Sequence, residues 1–311
     1  MDLAGRPVFL LSGQGSQKPG MGADLMDVAE VAAAFEGMSE VLGYDLAQLV
    51  ATAQPAELNR TRVAQPALCA LSVGLAHALE ARGARPAAVL GFSLGQASAL
   101  AVAGMLSDEE TFAFVRERSL LMEAAAEDRP GCMSALLKAD EESVQAVCAA
   151  CAQGEVLVAA NYNCPGQIVV SGAVPAVERA EAVWAAQGKR AARLATSGAF
   201  HSPLMADAAR ELGNYLDDVE FSEARVPLVS NVDARPLAAA DARDHLARHL
   251  VSPVRFQQSI EWLVAHGADT FVEVGFGGVL VNLVKRIDKT ATRALVQDRA
   301  SFEAYGEEVV S

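Results

Sequence analysis

The sequence predicts an α/β protein: a core built on a parallel sheet, with a small ferredoxin-like domain inserted into it. Three observations predict this. Short apolar runs such as Val8-Phe9-Leu10-Leu11 and Ala87-Ala88-Val89-Leu90 alternate with long helical stretches, as do strands buried on both faces. Between residues 128 and 196 the order changes to β-α-β-β-α-β. A chain of 311 residues, 52% of them hydrophobic, can also bury one large core and carry a smaller unit within it. The expected division is 1–127 and 197–311 for the core and 128–196 for the insert.

The first strand, residues 8–11, runs into Ser12-Gly13-Gln14-Gly15-Ser16-Gln17-Lys18-Pro19-Gly20-Met21-Gly22. Its glycines let backbone approach a ligand closely. A phosphate cradle, a loop presenting the Gln14 N–H to an oxyanion, and a plain tight turn all fit it. Neither the G-x-x-x-x-G-K-[ST] nor the G-x-G-x-x-G pattern is met. Helices are expected over 24–39 and 46–51, a break over 61–66, and a long apolar helix opened by Pro66 and running to 82. A strand over 87–90 and a helix over 94–104 follow. The next helix, 108–126, is capped by Ser107 with Glu110 three residues on.

In the insert, strands are expected over 132–137, 156–160, 167–171 and 190–194, and helices over 141–151 and 174–187. Asn161 to Gly166 reads as a turn between its middle strands. The core resumes with a loop, 196–203, and helix 204–219. Strand 227–232, helices 241–250 and 256–265, strand 270–274 and helix 279–287 complete it. The tail past Arg299 is expected to be mobile.

Composition narrows the function. A net charge of −14 argues against nucleic acid and anionic membrane as partners. No apolar run approaches the ~18 residues of a membrane helix and no leader peptide is visible, so a soluble, cytoplasmic protein is expected. Cys69, Cys132, Cys148, Cys151 and Cys164 form no disulfide framework, which fits a reducing compartment. Cys148 and Cys151 have C-x-x-C spacing, but no second pair or histidine cluster accompanies them, so no metal site is expected.

The chemistry centres on Gly91-Phe92-Ser93-Leu94-Gly95, a G-x-S-x-G sequence with a strand before it and a helix after it. Such a turn lifts a serine oxygen above the sheet and aims the helix's first N–H groups at the same spot. A nucleophilic serine needs a base. Of His77, His201, His245, His249 and His266, only His201 lies in a loop at the junction of the two units, where clefts form. His245 and His249 share a helix face at metal-compatible spacing, but they read as solvated residues. No acid completing a triad stands out.

Four stretches taken together resemble the malonyl-CoA:acyl carrier protein transacylases and the related acyltransferase domains of polyketide and fatty acid synthases. They are Gly13-Gln14-Gly15-Ser16-Gln17, Gly91-Phe92-Ser93-Leu94-Gly95, Asn161-Tyr162-Asn163-Cys164-Pro165-Gly166-Gln167 and Gly198-Ala199-Phe200-His201. The resemblance spans Pro7 to about Ala294. It implies an α/β-hydrolase-like core, a ferredoxin-like insert and ping-pong transfer of malonyl from coenzyme A, through an acyl-serine, to the phosphopantetheine thiol of an acyl carrier protein. It further implies a monomer, with the coenzyme A thioester as substrate and no permanently bound cofactor.

By the same resemblance Ser93 is the nucleophile and His201 the base. The N–H groups of Gln14 and Leu94 form the oxyanion hole, and Arg118 pairs with the malonyl carboxylate. The backbone carbonyl of Arg255 orients the histidine, Gln65 and Asn161 line the site, and Phe200 before the histidine selects malonyl over methylmalonyl. Two departures stand out: Phe92 where the family usually has histidine, and Gln96 where it usually has glutamate. A hydrolase on the same fold and a non-catalytic carrier-binding module are the alternatives. Docking an acidic carrier on an acidic chain calls for a local basic patch. Lys189, Arg190, Arg193, Lys285 and Arg286 are its candidates.

Overall fold

The computed structural model describes residues 3–310, with side chains through Tyr305. Its larger unit is built on a five-stranded parallel sheet in the order β7-β2-β1-β8-β9. The strands are β1 (Val8–Leu11), β2 (Ala88–Gly91), β7 (Leu228–Val229), β8 (Thr270–Val274) and β9 (Thr292–Val296). Every residue of β1 and β2 is buried. That is why their sequences read as unbroken apolar runs: helices cover both faces. Helices α1 (Ala29–Leu42), α4 (Thr61–Ala81), α5 (Leu94–Ala103) and α6 (Asp108–Asp128) pack with one face of the sheet into one apolar cluster, which α2 (Leu46–Thr52), α3 (Pro55–Leu58), α9 (Ala206–Tyr215) and α10 (Ala239–His249) join. Helices α11 (Phe256–Ala265) and α12 (Val279–Ile287) close the other. Loops leaving the carboxyl ends of β1, β2, β7 and β8 gather at one edge, where open α/β sheets form their crevices.

The smaller unit is a four-stranded antiparallel sheet in the order β4-β5-β3-β6. Its elements are β3 (Cys132–Ala139), α7 (Glu141–Ala152), β4 (Leu157–Cys164), β5 (Gly166–Gly172), α8 (Val174–Ala186) and β6 (Ala191–Arg193). It has its own core, centred on the fully buried Trp184. A backbone seam joins it to the larger unit: the Tyr162 N–H donates to the Val254 carbonyl (2.9 Å) and the Val254 N–H to the Ala160 carbonyl (2.8 Å).

Four sequence expectations need correction. The long helix starts at Thr61, not Pro66, which lies inside it. Its start is held by a distant carboxylate: Glu123 on α6 accepts from the Arg62 N–H (2.9 Å) and from the Arg60 guanidinium (2.7 Å). Such a tertiary cap leaves no local signature. The full helix is, by length and composition alone, apolar enough to cross a membrane, contrary to the expectation that no such run exists. However, 89% of its apolar window is buried inside the protein.

The expected turn over Asn161 to Gly166 is mostly strand, because β4 continues to Cys164 along the seam with Val254. The chain past Arg299 forms helix α13 (Arg299–Val310) rather than a mobile tail. Phe302 buries its ring there under the Arg82 guanidinium, 3.7 Å from the ring centroid.

Candidate active site

Ser93 follows β2 and caps α5 with φ 51° and ψ −100°. A side-chain-bearing residue there costs about 1–3 kcal/mol and persists only where its surroundings impose it. The two flanking glycines impose it. A Cβ at Gly91 would sit 1.8 Å from the Gly95 carbonyl carbon, and one at Gly95 would sit 2.0 Å from the Leu11 carbonyl oxygen. The G-x-S-x-G spacing thus records how closely the start of α5 lies against both β1 and β2.

His201 is the second strained residue, at φ 57° and 3% exposed. Its Nε2 lies 2.7 Å from Ser93 Oγ, and its Nδ1 lies 2.9 Å from the His249 carbonyl and 3.1 Å from that of Ser252. Carbonyls only accept, so Nδ1 carries the proton and Nε2 is free to accept from the serine hydroxyl. Burial, reinforced by the positive charge of Arg118, pushes the imidazole down to about 4. It is therefore neutral at pH 7 and able to take a proton.

The carbonyls that orient His201 are those of His249 and Ser252, not that of Arg255. The Arg255 carbonyl points along α11, accepting from the Ser259 N–H (2.9 Å) and hydroxyl (2.8 Å). His249 is also not a solvated helix residue: it is 2% exposed, with its ring 5.0 Å from that of His201. No cluster of metal-ligating side chains occurs among the described residues.

Arg118 comes off the inner face of α6 at 1% exposure. Its Nη1 donates to Gln65 Oε1 (2.6 Å), and its Nη2 lies 3.4 Å from Ser93 Oγ. Among the described residues no carboxylate pairs with it. Burial lowers its pKa only to about 10, so the cation remains and is uncompensated. Gln65 Nε2 passes the contact on to Gln14 Oε1 (3.1 Å), and Gln14 Nε2 to Thr61 Oγ1 (3.2 Å). Serine, base, Arg118, Gln65 and Gln14 therefore form one connected group. The backbone N–H groups of Gln14 and Leu94 have no protein acceptor among the described residues.

The remaining expected residues divide. Phe92 and Gln14 line a cleft of about 370 Å³ with Leu194, Thr196, Phe276 and Val279. The Phe92 ring packs edge-on against Phe256, with centroids 5.5 Å apart, so the family's polar histidine is replaced by an apolar contact. Phe200 is 5% exposed and packs into the main core beside Gly198. Asn161, 4% exposed, lies on the seam with Val254 and makes no polar contact with Ser93, His201 or Arg118.

The basic candidates are scattered in role. Arg193 pairs with Glu181 (2.6 Å), and Lys189 lies over the Trp184 ring, 4.0 Å from its centroid. Arg190 and Lys285 are exposed. Arg286 donates to Gln167 Oε1 (2.7 Å) and the Pro165 carbonyl (2.9 Å), fastening the β4–β5 hairpin to α12.

Besides the His249 and Ser252 carbonyls, sequence reasoning missed Asn231. Asn231, just past β7, accepts from the Ser93 N–H through Oδ1 (2.9 Å) and donates to the Gly91 carbonyl through Nδ2 (2.7 Å). Its own N–H donates to Gln96 Oε1 (2.5 Å). Gln96, at the position of the second departure, thus keeps an acceptor where a carboxylate would offer two, while its buried Nε2 has no partner.

The acyl transferase domain family model matches residues 8–302. A malonyl CoA-acyl carrier protein transacylase of Bacillus subtilis is 39% identical over 299 residues, covering 95% of this chain and 94% of its own. The crystal structure of MCAT from Streptococcus pneumoniae superposes with TM-score 0.92 at 40% identity, covering 97% of this chain and all of the other. A malonyl-transacylase solved in complex with its type II polyketide synthase acyl-carrier protein superposes with TM-score 0.94 at 38% identity, covering 97% of this chain and 99% of its own. On the family match and on these relatives alike, the chain belongs to the acyl transferase domain family.

Proposed function

We propose that this protein moves a malonyl group from coenzyme A to the phosphopantetheine thiol of an acyl carrier protein. The observation that carries the reading is Arg118: a buried cation with no carboxylate partner among the described residues, held by a neutral amide 3.4 Å from the serine oxygen. Burying an unpaired charge is costly, and a substrate carboxylate is the natural compensation. A dicarboxylic acyl group satisfies Arg118 and presents its thioester carbonyl to Ser93 at once.

In the proposed reaction Ser93 Oγ attacks the thioester carbon as its proton passes to His201 Nε2. The carbonyl oxygen, gaining charge, is met by the N–H groups of Leu94 and Gln14. Collapse breaks the carbon–sulfur bond, and the His201 proton leaves with the coenzyme A thiol. The carrier thiol then gives its proton to His201 and attacks the serine ester, and that proton returns to Ser93. Two backbone carbonyls suffice to orient the base, so no triad acid is needed. The 2.7 Å Ser93–His201 contact supports catalysis over a binding-only module, and the unpaired Arg118 favours transfer of diacids over general hydrolysis.

The reading extends to a monomeric, cytoplasmic enzyme that uses the coenzyme A thioester as substrate without a permanently bound cofactor. It takes 1–127 and 197–311 as a hydrolase-like core and 128–196 as a ferredoxin-like insert. The strand order β4-β5-β3-β6 supports the second part. Phe200 is assigned to excluding methylmalonyl, a discrimination of ~1–3 kcal/mol for one methyl group. The test is a panel of acyl coenzyme A thioesters read as mass gained on Ser93. Malonyl should load in preference to methylmalonyl and acetyl; acetyl loading as fast as malonyl would refute the assignment of Arg118, and methylmalonyl loading as fast would refute that of Phe200.

A further inference from the structure

We propose that Asn231 is a positioning residue that sets the nucleophile and its base in register, by fixing the Ser93 turn and the segment carrying the histidine's acceptors to one buried side chain. The inference rests on Ser93 and His201 acting as assigned above. Asn231 is 0% exposed and 138 residues away in sequence from the serine it holds. Its amide spans the turn on either side of Phe92, taking the Ser93 N–H and giving a proton to the Gly91 carbonyl. Only an amide supplies both in this orientation.

Its backbone reaches the other half of the pair. The Asn231 carbonyl accepts from the Arg255 N–H (2.9 Å). Arg255 ends the segment in which Ser252 accepts from His201 Nδ1 and Val254 bridges to β4. The Asn231 N–H is held in turn by Gln96 on α5, the helix that Ser93 opens. The nucleophile's turn, the start of its helix and the base's orienting segment thus meet at one residue. Both ends of the Ser93–His201 bond carry positive φ, so neither is kept in place by its own backbone preference.

A second consequence concerns the oxyanion. Because Asn231 occupies the Ser93 N–H, that group is withdrawn from the developing charge. The free N–H groups of Leu94 and Gln14 are left to meet it.

The experiment is single-turnover acylation of Ser93 by malonyl-CoA, with Asn231→Ala made in the wild-type and His201→Ala backgrounds. Asn231→Ala should slow acylation by about 10²-fold with little change in KM, since Arg118 and Gln65 do not touch Asn231. In the His201→Ala background the same change should cost less than about threefold, because the register it maintains no longer has a base to serve. Equal costs in both backgrounds would make Asn231 a general support of the fold and overturn the proposal. Should Asn231→Ala fail to fold, Asn231→Asp, assayed with its carboxyl ionised, keeps the volume and the acceptor for Ser93 and sets a second acceptor against the Gly91 carbonyl in place of the donor. Full-rate acylation by that variant would also overturn it. In the wild-type protein the Ser93 amide should be strongly protected from hydrogen exchange; exchange as fast as at Gly15 would refute the clamp directly. Failure of wild-type Ser93 to acylate at all would instead refute the functional reading.

Discussion

The two sheets of this protein are built on opposite rules. The central strands of the parallel sheet, β1 and β2, are buried along their whole length, and the turn at the carboxyl end of β2 holds Ser93 at positive φ against His201, equally strained in the segment that follows β6. The antiparallel sheet is covered by helices over its own small core, and its strands slip at bulges beyond Leu137 and near Asn161. The strained residues that meet in the site are Ser93 and His201, whereas the smaller sheet packs one face on its own core and sets Met133, Ala135 and Val169 of the other against the main one. Substitutions should therefore act on chemistry in the first unit and on partner handling in the second.

The strongest way to break that division is at the dyad. Ser93→Ala should abolish the acyl-enzyme, and His201→Ala should slow its formation by at least ~10²-fold, measured by mass spectrometry of the loaded protein. Full transfer activity in Ser93→Ala would remove the larger unit's claim to the chemistry.

Next is Arg118→Ala. It should cost ~2–4 kcal/mol in kcat/KM for malonyl-CoA, because a substrate carboxylate is left unpaired in a dry site. Acetyl-CoA has no carboxylate and should lose little. Equal losses on both would show that Arg118 supports the fold rather than the substrate.

A smaller effect probes the junction. Arg286→Ala removes both hydrogen bonds from α12 to the β4–β5 hairpin and should cost about 1 kcal/mol of stability. Single-turnover loading of Ser93 should stay near wild type while the KM for carrier protein rises. A fall in the loading rate instead would mean that the small sheet helps position the dyad.

The effect of narrowest range is one of pH within the larger unit, confined to stability and leaving the chemistry alone. His77 on α4 bonds Asp108 (3.0 Å) and faces Glu80, and these bonds raise it from 6.5 to about 9. A raised folded value stabilises fully below about pH 6.5 and is lost as pH rises through about 9. His201 has the opposite sign: its depressed value loses stability as pH falls from 6.5 toward about 4, because the unfolded chain then takes up a proton that the folded chain refuses. His77→Gln should lower the melting temperature near pH 6, by ~1–2 kcal/mol equivalent after allowing for solvent at the half-buried pair, and much less near pH 10. A gap independent of pH would show that His77 contributes packing alone.

Much of this was legible in the sequence because local rules and global fold agree there. Gly91 and Gly95 announce the strained turn, Ser107 and Glu110 form the capping box that their spacing suggests, and the β-α-β-β-α-β order is realised strand for strand. What escaped depends on contacts between distant segments. Glu123 starts α4 from another helix, Val254 prolongs β4, and His249 and Ser252 present carbonyls that no side-chain pattern marks. Asn231 sits in a stretch that reads only as the end of a strand; its role appears when β7 is placed beside β2.

The uncompensated charge of Arg118 has a thermodynamic consequence for the resting protein. An empty site keeps an unpaid electrostatic cost, and any group that neutralises it returns that energy to the folded state by mass action. The malonylated protein should then resist heat better than the acetylated one, although the two differ by a single carboxylate. Free malonate, with no thioester to react, should raise the melting temperature in proportion to the logarithm of its concentration above its dissociation constant. Substrate choice would thus be visible in calorimetry before any acyl group has moved.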